Sequence, residues 1–161
     1  MAIEIERKFL VKNNGFKNES VREMRITQKY LSSVPERTVR IRIIGDIGNI
    51  TIKGISSVSG TSRFEWEREI SVKDAKELFK ICEEGIIDKI RYNVKYDKHT
   101  FEIDEFYGEN EGLVIAEIEL AAEEESFIRP DWLGTEVTGD KKYYNSVLIK
   151  NPFCIWNNSN K

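Results

Sequence analysis

The stretch Ile3–Val11 reads IEIERKFLV, an alternation of period two that marks a β-strand. Glu4, Glu6 and Lys8 fall on one side of that strand, and Ile3, Ile5, Arg7 and Phe9 on the other. The pattern then returns along the chain. Arg40 and Arg42 oppose Val39, Ile41 and Ile43, while Lys53 opposes Ile50 and Ile52. Arg63, Glu65 and Glu67 oppose Phe64, Trp66 and Arg68. Lys89 and Arg91 oppose Ile90 and Tyr92, Glu102 and Asp104 oppose Phe101 and Ile103, and Glu117 and Glu119 oppose Ala116, Ile118 and Leu120.

Strands are expected near 3–11, 27–32, 37–45, 49–54, 63–71, 87–96, 100–107 and 113–121. Asp46–Asn49 (DIGN) and Asp97–His99 (DKH) supply hairpin turns, and Gly54–Ser62 is a polar Gly/Ser loop, expected to be mobile. A helix is expected to start at Ser71, whose spacing to Asp74 fits a capping pattern, and to end at Gly85. A second, over about 141–150, has Asp140 as its cap, Tyr144, Val147 and Leu148 as its apolar side, and Pro152 beyond. Strands joined by short turns, with few helices, give an α+β protein built on a mainly antiparallel sheet.

A sheet with one wet face and one packed face would be the ordinary explanation of such alternation. Two features favour a charged interior instead. Arginine outnumbers lysine among the facing cations, and its planar fork suits bidentate capture of oxyanions. Like charges also recur two residues apart, which costs energy unless something of opposite sign lies between them. A barrel of about eight strands can enclose side chains or one small ligand. The shared face carries seven cations (Lys8, Arg40, Arg42, Lys53, Arg63, Lys89, Arg91) against eight carboxylates (Glu4, Glu6, Glu65, Glu67, Glu102, Asp104, Glu117, Glu119), so an enclosed set nearly neutralises itself. Clustering would leave one region for a polyanion and another for a hard cation such as Mg²⁺.

The 161 residues suit one domain over 1–161, with enough chain for a real core. A net charge of −3 provides no overall basic field for nucleic acid or an acidic membrane, so any anion must be caught by local Lys and Arg. Cys82 and Cys154 have neither metal spacing nor a disulfide framework, and Cys82 falls at helical spacing with Ala75, Leu78 and Phe79. The acidic, β-patterned start is unlike a signal peptide and no apolar run nears ~20 residues, so a cytoplasmic location is expected. His99 is placed at a turn tip and Glu69 at a strand end, both facing solvent. Trp66, Trp132 and Trp156 are read as core or contact residues.

The ordered set EIERK, TVRIR, Lys53, RFEWE, DKIRY, FEIDEF and AEIEL, closing with TEVTGDKKYYNSVL, resembles the CYTH or triphosphate tunnel metalloenzyme family over roughly residues 2–149. The resemblance implies an antiparallel eight-stranded β-barrel, a tunnel, with helices packed outside and the charged face inward. It implies a divalent metal, Mg²⁺ or Mn²⁺, and a small triphosphate as substrate. The activities open to it are hydrolysis of tripolyphosphate or thiamine triphosphate, cyclisation of ATP, or polyphosphate binding without turnover; tripolyphosphate hydrolysis leads among these. Lys8, Arg40, Arg42, Lys53, Arg63, Lys89 and Arg91 would hold phosphate. Glu4, Glu6, Glu65, Glu67, Asp104, Glu117 and Glu119 would hold or adjoin metal. Glu4, Glu6 and Tyr30 are the candidate catalytic residues, with Tyr30 open between proton acceptor, gate and packing. The resemblance leaves a homodimer open as the protein partner.

Overall fold

In a computed structural model that describes residues 3–158, alternation has its expected consequence: the strands wrap into a closed sheet. The elements in chain order are β1 (Ile3–Val11), a single-turn α1 (Phe16–Glu19), β2 (Ser20–Ser32), β3 (Arg37–Ile44), β4 (Ile47–Gly54) and β5 (Ser62–Ile70). Then come α2 (Val72–Phe79), β6 (Ile87–Tyr96), β7 (His99–Phe106), β8 (Val114–Glu119) and β9 (Leu133–Glu136), followed by short 3₁₀ turns and a single-turn α3 (Asn145–Leu148). Residues 1, 2 and 159–161 of the expected domain span lie outside the described residues.

All pairings are antiparallel in the order β5-β4-β3-β2-β6-β7-β8-β1, and β1 returns to β5 through Ile3↔Phe64 and Glu4↔Arg63 to close the barrel. The chain passes from β5 by way of α2 to β6, which lies beside β2, so neighbours in the wall are not always neighbours in sequence. The ninth strand was not expected. It pairs with the end of β1 through Phe9↔Glu136 and Val11↔Leu133, on the edge that β5 has left. Between them, Lys8 N–H donates to Thr138 Oγ1 (2.9 Å) and Glu6 N–H to the Thr61 carbonyl (2.8 Å), so this backbone edge stays satisfied.

The barrel is apolar outside. Phe9, Phe101, Ile103, Ala116 and Ile118 are fully buried beneath α1 and the segment carrying Trp132. Each large side chain among them contributes about 1.5–3 kcal/mol by leaving water. A second cluster joins Ile87, Phe106, Leu113 and Ile115 to Tyr143 and Leu148 of the C-terminal segment. Helix α2 covers β2–β4 with Ala75, and its start is the expected one, Ser71 Oγ accepting from Asp74 N–H at 3.0 Å.

Several expectations need correction. β2 starts at Ser20, because Ser20–Ile26 pairs with β6 although Val21, Arg22 and Glu23 face solvent and carry no alternation. The β3–β4 turn is Gly45–Asp46, with Gly45 at φ 59°, and Asn49 is already paired with Arg42. Helix α2 ends at Phe79, well before Gly85. The segment 141–150 is a 3₁₀ turn followed by one α turn, with Asp140 capping Lys142 N–H. His99 opens β7 and its Nε2 meets Glu125 at 2.5 Å. Trp66 is an outer-face residue, 37% exposed, with the Arg68 guanidinium 4.6 Å from its ring centre. The Gly54–Ser62 loop is tied down: Ser57 N–H donates to the Ser62 carbonyl and Gly60 N–H to the Ser57 carbonyl, while Ser59 and Thr61 both bond Glu123.

Candidate active site

The interior of the barrel is a cavity of about 190 Å³ whose walls are mostly charged. Every residue proposed for the site from sequence lines it except Asp104. Their arrangement follows the strand order. β4, β3, β2 and β6 are contiguous and present Lys53, Arg40, Arg42, Tyr30, Lys89 and Arg91. β7, β8, β1 and β5 form the other half and present Glu102, Glu117, Glu119, Glu4, Glu6, Glu65 and Glu67, interrupted by Lys8 and Arg63. A basic wall faces an acidic wall.

On the basic wall, cations outnumber their partners. Arg42, 9% exposed, has one hydrogen-bond partner among the described residues, the neutral Gln28 Oε1 at 3.0 Å. Burial, with Arg40 and Arg91 alongside, pushes its pKa down to about 9, still charged at neutrality. Arg40 donates to Thr51 Oγ1 at 3.0 Å, but its buried Nε has no partner. A buried guanidinium N–H without an acceptor is costly, and an anion in the cavity would supply one.

Asp104 lies behind the wall and is committed there. It takes Arg91 in a bidentate grip (Nε–Oδ1 2.7 Å, Nη2–Oδ2 2.9 Å) and accepts from Lys89 Nζ at 2.8 Å. Burial opposes its charge, but Arg91 and Lys89 hold the carboxyl well below the usual range. Lys89 is fully enclosed; burial, reinforced by Arg91 and Arg42, outweighs Asp104 and lowers it to about 7. Its ammonium also donates to Asn145 Oδ1 at 2.9 Å, an acceptor shared with Gln28 Nε2 at 3.0 Å. Tyr30, 5% exposed, has its hydroxyl held among the described residues only by a long 3.4 Å contact from Gln28.

On the acidic wall, like charges face each other. The register sets Glu6 opposite Glu119 and Glu102 opposite Glu117, pairs that repel unless a cation intervenes. Two lysines partly answer this need: Lys53 Nζ reaches Glu4 at 3.0 Å and Glu65 at 3.4 Å, and Lys8 reaches Glu117 at 3.6 Å. Against burial, Lys53, a hydrogen bond shared with Glu65, and Arg63 bring Glu4 to about 2, and Lys8 and Arg91 bring Glu117 to about 2. Glu6 is left over. Burial first, then Glu117 and Glu4, push it up to about 8, and burial with Glu4 raises Glu65 to about 7.

No three acidic, histidine or cysteine side chains among the described residues converge as a ready-made metal cluster, since lysines occupy part of the set. The donor chemistry nonetheless fits a hard divalent cation: the acids clustered around Glu6 offer carboxylate oxygens, and their mutual repulsion is what a bound cation would relieve. Sequence reasoning missed Thr38, Thr51, Tyr144, Asn145 and Ser146, all of which line the cavity. The last three come from a segment read as an external helix, and only their adjacency in DKKYYNSVL marked them.

A closed antiparallel barrel with a basic wall opposite a carboxylate wall is the architecture of the triphosphate-tunnel class of protein. The chain belongs to the CYTH domain family, whose model matches residues 2–146. It is 46% identical over 154 residues to a protein of Acetivibrio thermocellus named inorganic triphosphatase, covering 95% of this chain and 97% of that protein. A second protein of that name, from Nitrosomonas europaea, is 35% identical over 148 residues, with coverage of 90% and 95%. A crystal structure described as an inorganic triphosphatase superposes with a TM-score of 0.66 at 33% identity, over 91% of this chain and 97% of that one.

Proposed function

We propose that this protein hydrolyses inorganic tripolyphosphate inside its tunnel with the help of Mg²⁺ or Mn²⁺. The observation that carries the reading is the division of one small cavity into facing basic and acidic walls. About 190 Å³ is below the ~300–1,000 Å³ of pockets for drug-sized ligands, so the site suits a small, highly charged anion. The two relatives named inorganic triphosphatase support the same chemistry.

Arg40, Arg42, Lys53, Lys89 and Arg91 bind phosphate oxygens from the basic wall, and Lys8 and Arg63 reach them from the other side. Arg42 and the free Nε of Arg40 lack anionic partners of their own, so they gain most from the substrate. Glu6, Glu67 and Glu119, joined by Glu4, Glu65 and Glu117 as their lysines turn to phosphate, would hold the metal. A bound divalent ion supplies neutralisation of charge on the phosphate oxygens and a template for in-line displacement. Asp104 serves as a positioning residue that orients Arg91 and Lys89, in place of the metal role expected for it. Lys89, near 7, can hold or give up a proton at neutral pH, and the Tyr30 hydroxyl has capacity to bond phosphate or the attacking water.

The test is incubation with Mg²⁺ and, separately, tripolyphosphate, ATP or thiamine triphosphate. Phosphate release is expected to be fastest from tripolyphosphate. Cyclic AMP as the main product, or faster turnover of thiamine triphosphate, would replace this reading. Binding without turnover of any of the three would reduce the protein to a polyphosphate-binding module.

A further inference from the structure

Three cavities meet at the side chain of Tyr144: the tunnel, a small gap along β1 beside Glu6 and Lys8, and a third space of about 270 Å³. The third lies between the β4–β5 loop and the C-terminal segment. It is the least polar of them, walled by Pro35, Ile55, Val58 and Val147 with several serines, and besides Tyr144 it shares Thr38, Arg63 and Ser146 with the tunnel.

The ring of Tyr144 is held from several sides. Lys8 Nζ stands 4.9 Å and the Arg63 guanidinium 5.5 Å from its centre, so two cations of the phosphate site rest against its face. Its hydroxyl is 3.3 Å from Ser56 Oγ of the β4–β5 loop. That loop is itself seated on the segment leading to Tyr144: a Cβ on Gly60 would fall 2.3 Å from the Gly139 Cα, so only glycine permits the contact.

We infer that Tyr144 is a specificity-determining partition that ends the tunnel short of the side cavity and restricts the site to a triphosphate without an organic substituent. The inference rests on the proposed triphosphate site and extends it. The tunnel alone is too small for a nucleoside attached to the terminal phosphate. Tunnel and side cavity combined fall within the ordinary range for an organic ligand of that size. The apolar walls suit a base, and the serines suit sugar hydroxyls.

The experiment compares wild type, Tyr144→Phe, Tyr144→Leu and Tyr144→Ala. Calorimetric binding of tripolyphosphate and of ATP is measured in chelator, followed by turnover of each with Mg²⁺. Wild type is expected to favour tripolyphosphate at least tenfold. Tyr144→Ala should reduce that preference at least tenfold, chiefly by gaining ATP affinity, with Tyr144→Leu in between should the alanine variant fold poorly. Tyr144→Phe, which keeps the ring, should keep the preference. A wild type without preference, or alanine and leucine variants that weaken both ligands equally, would overturn the partition and leave the ring as a mere support for Lys8 and Arg63. Tripolyphosphate binding without hydrolysis would overturn the proposed activity alone, and the affinity ratio would still decide this inference. Binding of neither ligand by wild type would overturn both.

Discussion

Replacing Arg42 with methionine is expected to make the empty protein more stable while damaging anion binding. Arg42 is buried, bonded only to neutral Gln28, and flanked by Arg40 and Arg91. Its pKa falls from 12.5 to about 9, and at ~1.4 kcal/mol per pH unit the charge costs on the order of 5 kcal/mol to keep there. Methionine fills similar volume without that charge but leaves Gln28 Oε1 unbonded, at about 1–3 kcal/mol. The balance is roughly 2–4 kcal/mol in favour of the variant, consistent with the general result that buried ions can be replaced by apolar groups at no loss. For a chain of this size that is a rise of about 4–16 °C in Tm. The assay is a thermal melt in chelator and a buffer free of phosphate. In parallel, losing charged hydrogen bonds of about 1.5–3 kcal/mol each should lower kcat/KM for tripolyphosphate ten- to a hundredfold or more. A variant that melts below wild type would refute the claim that the basic wall is left uncompensated.

Asp104→Asn strands Arg91 and Lys89 without their shared carboxylate; a loss of about 3–5 kcal/mol should lower Tm by roughly 6–20 °C, and an unchanged melt would mean the triad is not where the wall is anchored. Glu6 is raised from 4.5 to about 8, so its contribution to stability is complete below pH 4.5 and is lost as pH rises through 8. Metal-free protein should therefore lose Tm between pH 5 and 7, a window that Glu65 shares and that lies below the range where Lys89 acts in the opposite direction. Glu6→Gln should flatten that slope, and an identical slope in both proteins would count against a protonated Glu6. Gly60→Ala places a methyl 2.3 Å from Gly139 at φ 78°, so the loop must lift at about 1–3 kcal/mol, read as a Tm drop of roughly 2–12 °C. Gly45→Ala, at φ 59° with open space around it, should show a smaller drop, and equal drops would show that backbone conformation alone matters at Gly60.

The site was legible in sequence because parity in a strand is geometric: once Ile3, Ile5 and Phe9 face the exterior, Glu4, Glu6 and Lys8 have nowhere to point but inward. The helix at Ser71 was legible because its cap is local. The failures are non-local. Ser20–Ile26 becomes strand only because β6 lies alongside, which its exposed Val21, Arg22 and Glu23 do not announce. Asp104 shares the inward parity of Glu102, yet its depth behind Arg91 follows from the β6–β7 register. Tyr144 and Asn145 reach the interior through tertiary docking, so an apolar period of helical length was the wrong signal for them. The separation into two walls required the β2–β6 adjacency, which no alternation encodes.

That interleaved strand order also constrains how the chain folds. The hairpins β3–β4 and β6–β7 are local and can form early, but the acidic wall needs β1 to meet β8 and β5, through contacts such as Lys8 with Glu117 and Glu4 with Arg63 that join distant parts of the chain. Before that closure, the cations of β3 and β6 have only the β7 carboxylates Glu102 and Asp104 nearby and stay in water to avoid burial without enough partners. Dewetting of the basic strands must therefore wait for the last strands to be made. In a growing polypeptide, nothing resembling the cavity exists until residues beyond Glu119 have left the ribosome. A chain truncated before β8 would hold an open, self-repelling sheet instead of a weaker version of the enzyme.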